Sequence, residues 1–145
     1  MKKLLAIILF CILTVGMASV ASAEKWQFIA SDGEKNSWFF DAHSLKKGTK
    51  TTYTVCIKVE FSESEGLEKA GELKLNAPIA YVFNNIEFNF RNNTQRILAF
   101  TFYDKNDNPL FSYNSKPSGW FGLAPDSVNE YIFNDTYDYY KKHYK

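Results

Sequence analysis

Cysteine is almost missing from this chain. Of 145 residues two are Cys, and because Cys11 sits inside the leading apolar run, a single thiol, Cys56, is left to the rest. One thiol cannot close an internal disulfide, which excludes the stapled scaffolds common among small exported domains. Histidine is equally scarce. His43 and His143 stand alone, and neither has a nucleophile or acid beside it at a spacing that recurs in hydrolases. Both read as solvated surface residues, and the chain is read as not an enzyme. An excess of either charge is lacking too: the net charge of +1 becomes −1 once Lys2 and Lys3 leave with the leading segment. Attraction to nucleic acid or anionic lipid then has no evident source, so no nucleic-acid partner is expected. No later apolar run approaches the about 20 residues needed to cross a bilayer, so no integral span is expected.

The leading segment is a signal peptide in outline. Lys2 and Lys3 precede the apolar residues 4–15, and small residues follow, ending in Ala21, Ser22 and Ala23. That order gives a signal peptide over 1–23 and one domain over 24–145. Cys11 follows Phe10, not the small residue of a lipidation site, so the chain is read as released and not anchored by lipid. Aromatics stand in place of sulfur: 13 Phe, 9 Tyr and 3 Trp. Each large ring buries roughly 150–250 Å².

Strand patterns dominate the middle. In YTVCIKVEF the apolar Tyr53, Val55, Ile57, Val59 and Phe61 share one parity, and Thr54, Cys56, Lys58 and Glu60 the other, the period of a half-buried strand. Ile86, Phe88 and Phe90 alternate with Glu87, Asn89 and Arg91 in the same way. In RILAFTFYD, Leu98, Phe100 and Phe102 lie on one parity and Ile97, Ala99 and Tyr103 on the other, so both faces need cover. DKNDNP turns that strand back through Leu110, Phe111 and Tyr113. WQFIAS and SWFFD flank DGEKN as another hairpin. No connection is read as the dozen or more residues with a helix that a parallel crossover requires, so the sheet is an antiparallel meander. Residues 62–83 read as a charged linker or a short helix, and the pattern does not decide between them.

The tail is a helix. Ser127 and Glu130 form an S-x-x-E capping box, with Pro125 just before it. At 100° per residue Val128, Ile132, Phe133, Tyr139, Tyr140 and Tyr144 gather on one arc, opposite Glu130, Asn134, Asp138, Lys141 and Lys145. This aromatic arc is expected to lie over the two-faced strand from Arg96 to Tyr103. Cys56 is expected beneath the helix and not as a reactive thiol, because no base or helix N-terminus is at hand to lower its pKa. Asp104, Asn106 and Asn108 begin like a calcium loop, but Pro109 stands where glycine is needed and Ser115 where the bidentate glutamate belongs, so the segment reads as a turn. The glycosylation triplets at Asn92 and Asn134 carry no weight under a leader that looks bacterial. No catalytic, cofactor-binding or metal residue is assigned, no cofactor is expected, and the binding residues stay unassigned.

Trp120, Pro125, Ser127 and Glu130 fall in the order W-x4-P-x-S-x2-E, which resembles the closing motif of the surface-adhesin E family from bacteria with an outer membrane. WQFI at Trp26, FFDAHSL from Phe39 to Leu45, Lys58, IEFNF from Ile86, RIL from Arg96 and YDKND from Tyr103 are similar to further family motifs in the same order. The resemblance implies an α+β fold: a single antiparallel sheet of about five or six strands, with a C-terminal helix packed on one face. It also implies a disulfide, common in the family, between the strand equivalent to IEFNF and the last helix. This chain has Phe90 and the region of Tyr137 at those places, so rings would have to do the work of the bridge. By analogy the function is that of a secreted adhesin-like module, with host extracellular-matrix protein as partner and the periplasm, outer-membrane surface or medium as location. The alternative is a periplasmic structural or assembly protein of the envelope.

Overall fold

The computed structural model describes residues 26–33 and 35–144; the expected signal peptide lies outside the described residues. Strands β1 (Trp26–Ser31), β2 (Asn36–Lys47) and β3 (Thr52–Phe61) are followed by helix α1 (Glu63–Glu72). Then come β4 (Tyr81–Asn89), β5 (Thr94–Tyr103), β6 (Pro109–Tyr113), the two-residue β7 (Phe121–Gly122) and helix α2 (Val128–Tyr144). The strands form one antiparallel sheet in the order β1-β2-β3-β4-β5-β6. β6 and β7 pair with opposite ends of the outer edge of β5. The fold is α+β, as the alternation of strand residues and the capped tail indicate.

The two parities of β3 decide which face is dry. Tyr53, Val55, Ile57 and Val59 are buried with Phe40, Val82, Ile86 and Phe88 from neighbouring strands, and α2 closes this face with Ile132, Phe133, Thr136 and Tyr140. The closing contacts are aromatic. Tyr140 stacks on Tyr53 at 5.0 Å between ring centroids, Phe133 tilts against Phe88 at 5.6 Å, and Tyr139 meets Phe40 edge-on at 5.7 Å. Phe90 and Tyr137 stack at 5.1 Å. Those are the positions where the resemblance implies a disulfide, and here a ring pair joins sheet to helix. A lost bridge costs about 2–4 kcal/mol, and one or two buried rings offset that.

One polar contact runs through this apolar seam. Thr136 Oγ1 donates to the Ile132 carbonyl at 2.7 Å, which leaves its oxygen to accept from Tyr53 Oη at 2.9 Å. Burial pushes the Tyr53 phenol far above its ordinary range, so it stays neutral and remains a donor. The helix start follows the capping box: the Glu130 amide donates to Ser127 Oγ, and Glu130 Oε2 accepts from the Asp126 amide.

Three features differ from the sequence reading. First, α2 lies nearer β1 and β2 than the expected strand Arg96–Tyr103; Phe100 and Phe102 only flank the core that α2 covers. Second, β5 carries a bulge. Ile97 sits opposite Ile86 and Phe100 opposite Asn84, so Leu98 is the extra residue and Ile97 joins the face of Phe100. Third, Cys56 lies half-buried on the face away from α2, not under it, because β3 keeps strict alternation and Val55 and Ile57 occupy the helix side. Residues 62–83 also resolve. Ser62 caps α1, whose buried residues are Gly66 and Ala70. Gly66 approaches the Ile79 carbonyl so closely that any Cβ there would strike it.

Candidate binding surface

The other face of the sheet lies away from α2. Across it runs a row in register: Phe28 opposite Phe39, Phe39 opposite Lys58, Lys58 opposite Phe83, and Phe83 opposite Thr101. A second row brings Tyr81 beside Tyr103. Trp26 starts at the far edge and reaches across β2 and β3 to lie on Phe83, with centroids 5.4 Å apart and planes 4° apart. Tyr81 and Tyr103 stack at 5.0 Å, and both also touch Phe83. Phe28 meets Phe39 edge-on and remains 60% exposed. None of these rings is fully buried, and none belongs to the core cluster on the helix side.

Lys58 stands at the centre. Its Nζ lies 4.9 Å from the Tyr81 ring centroid and 5.8 Å from that of Trp26, and pairs with Glu60 at 2.7 Å. The ammonium is thus held by rings and neutralised by a carboxylate. Further along the same face Glu87 receives both Arg96 Nε and a terminal Arg96 nitrogen at 2.6 Å, and the guanidinium rests 4.6 Å from the Trp120 ring centroid. Tyr81 to Glu87 spans six residue steps of one strand, about 20 Å at 3.3 Å per step. The surface is aromatic, amphipathic and close to charge-balanced, so it suits recognition by ring contacts more than by long-range attraction.

Of the residues singled out in the sequence, Trp26, Phe39, Lys58, Arg96, Tyr103 and Trp120 of the family motifs lie on this face, and the others sit elsewhere or serve the fold. In FFDAHSL the ladder between β2 and β3 is interrupted between Asp41 and Lys46. Asp41 Oδ1 accepts from the His43 amide at 2.9 Å, while Ser44 Oγ donates to the Asp41 carbonyl at 2.7 Å and accepts from the Cys56 amide at 2.8 Å. Asp and Ser in that spacing therefore plug an irregularity in the sheet. Cys56 shares a depression of about 290 Å³ with Ser44, Lys46, Thr54, Asn85 and Leu98, and no histidine or carboxylate lines it. His43 is exposed, and His143 Nδ1 lies 2.8 Å from the Tyr139 carbonyl at the helix end. Asp104 is the internal cap of the β5–β6 turn: its carboxylate accepts from the amides of Asn106 and Asn108 and from Asn108 Nδ2. The Asn108 side chain is the first cause holding that carboxyl below its usual range. Among the described residues no group of His, Cys, Asp and Glu is arranged to hold a metal, and no helix is long and apolar enough to cross a membrane.

Sequence reasoning missed the aromatic rows. Phe39, Tyr81 and Phe83 lie outside the two cleanly alternating runs, and the signal that would have found them is the parity of Lys58 carried across the hairpins to its neighbours.

No curated protein sequence matches the chain. The family model described as surface-adhesin protein E matches residues 26–135. That stretch runs from the first ring of the open face, Trp26, through the sheet and into α2, so the chain belongs to the surface-adhesin protein E family.

Proposed function

We propose that this chain is an exported, non-enzymatic bacterial binding module that attaches to host extracellular-matrix protein through the open face of its sheet. The observation that carries the proposal is the cluster of Trp26, Phe28, Phe39, Tyr81, Phe83 and Tyr103 around a neutralised Lys58, on the face away from α2. Aromatic residues are enriched in the centres of protein interfaces and supply most of the hot-spot energy there. Membership of a surface-adhesin family supports the attachment role, and the leader over 1–23 supports export.

The test has two arms. Purified chain is passed over a panel of immobilised matrix proteins, and Phe28→Ser with Phe39→Ser should weaken the bound response at least tenfold, about 1.4 kcal/mol, at unchanged melting temperature. Intact cells are then treated with protease, which should remove the chain. If cells shield it while osmotic shock frees it, attachment to a host is excluded, and a periplasmic envelope role takes its place.

A further inference from the structure

The polar groups beside the rings of the open face are already engaged with the protein itself. Tyr81 Oη donates to Asp107 Oδ1 at 2.9 Å, the hydroxyls of Thr101 and Ser112 lie 2.9 Å apart, and Lys58 Nζ is paired with Glu60. A polyhydroxyl ligand would have to break such bonds to be held. The charges complement an uncharged partner: Lys58 and Arg96 each carry a carboxylate, at 2.7 and 2.6 Å, which an acidic or basic segment would have to displace. The depression on this face is lined by Thr54, Cys56 and Asn85 and not by the rings. The rings therefore offer faces and edges to lie on, and what suits them is a flat apolar ridge that asks for no hydrogen bond. Proline supplies it, being an apolar ring without an N–H. A proline-rich chain is already extended as polyproline II with its carbonyls in water, so docking orders little. Aromatic-lined surfaces take such segments in this way. The spacing agrees. The row falls into two ring pairs with Lys58 between them, Phe28 with Phe39 and Trp26 with Phe83. Phe39 and Phe83 rise from strands two apart, a separation of about 9.6 Å. One turn of polyproline II, three residues, advances about 9.3 Å.

We infer that the open face binds a single proline-rich chain in the polyproline II conformation, laid across the strands, with prolines three residues apart resting on the Phe28–Phe39 and Trp26–Phe83 pairs. The inference rests on the open face being the binding surface, and it names the chemistry of the segment bound there.

The experiment is a titration of the full purified, isotope-labelled chain with decaproline, followed by amide chemical shifts. Decaproline should move the amides of Phe28, Phe39, Lys58 and Phe83 and leave those of Thr136 and Tyr140 in place, while a glycine-serine peptide of the same length moves none. Peptides of repeating Pro-Ala-Ala should bind at least tenfold more tightly than peptides of repeating Pro-Ala, although the latter hold more proline, because only the three-residue period brings every proline to one side. Added salt should change the affinity by less than about twofold, since no ion pair is made. Phe39→Ser should weaken decaproline binding at least tenfold; Phe28→Ser, at a ring 60% exposed and so without risk to the fold, should weaken it in the same direction. The inference is overturned if decaproline moves no amide of the open face, or if Pro-Ala repeats bind as tightly as Pro-Ala-Ala repeats. Should matrix proteins be held by the open face while decaproline fails to compete, the proline reading falls and attachment stands. Should decaproline bind the face while no matrix protein does, attachment falls and the proline reading stands.

Discussion

The two faces of this sheet are built from the same residue type and do opposite things with it. On the helix side Tyr53, Phe88, Phe133 and Tyr140 are buried and interlocked, with the Thr136 hydroxyl serving the Tyr53 phenol. On the other side Trp26, Tyr81, Phe83 and Tyr103 touch each other as closely, yet each keeps part of its surface in water, and the charge at their centre is paired. Ring density alone therefore does not distinguish a core from a recognition surface. What distinguishes them is whether a covering element exists and whether the polar groups among the rings point inward to partners or outward to solvent.

Substitutions separate the two. The largest effect is expected from Tyr140→Ala, which opens a hole under α2; by the usual cost of removing a buried aromatic, urea denaturation should show a loss of about 3–5 kcal/mol. Tyr53→Phe keeps the ring and removes the hydroxyl, and should cost about 1 kcal/mol. Combined with Thr136→Val in a double-mutant cycle it should show coupling, since each change removes the same bond. Phe28→Ser on the open face should move stability by no more than about 0.5 kcal/mol while weakening binding to the partner. A stability loss as large as that of Tyr140→Ala would mean that the open face is a second core. The smallest effect concerns Asp104. Its carboxyl is held low in the native turn, so the stabilisation is fully present above the ordinary carboxylate range and lost as pH falls through the native value. Asp104→Asn should lower the neutral part of a stability-against-pH curve slightly and flatten its acid limb, since the stabilisation it removes is the one that acid titrates away.

How much of this was legible depends on what each segment buries. β3 and the run from Ile86 to Phe90 alternate cleanly because their helix-side residues are large and apolar, and the tail helix announces itself through Ser127 and Glu130. α1 gives no such signal: it buries Gly66 and Ala70, the smallest side chains, so counting apolar residues cannot show which way it faces. The tail's partner was misplaced because parity was carried through β5 as though it were regular, whereas the bulge at Leu98 exchanges the faces midway. Cys56 was placed under the helix because nothing near it would make the thiol reactive, although its parity in β3 already sets it opposite to Val55 and Ile57. The closing family motif had a physical content not visible in its spacing: Ser127 and Glu130 start the helix, while Trp120 roofs the Arg96–Glu87 pair on the opposite face.

The ring pair Phe90–Tyr137 bears on how the chain reaches its fold. A molecule clasped by a sulfur–sulfur bond must meet an oxidase before its last helix is fixed, and comes apart in a reducing medium. Here the clasp forms as soon as strand and tail collapse together. The helix should dock without thiol chemistry, and a reductant should leave the melting temperature where it was.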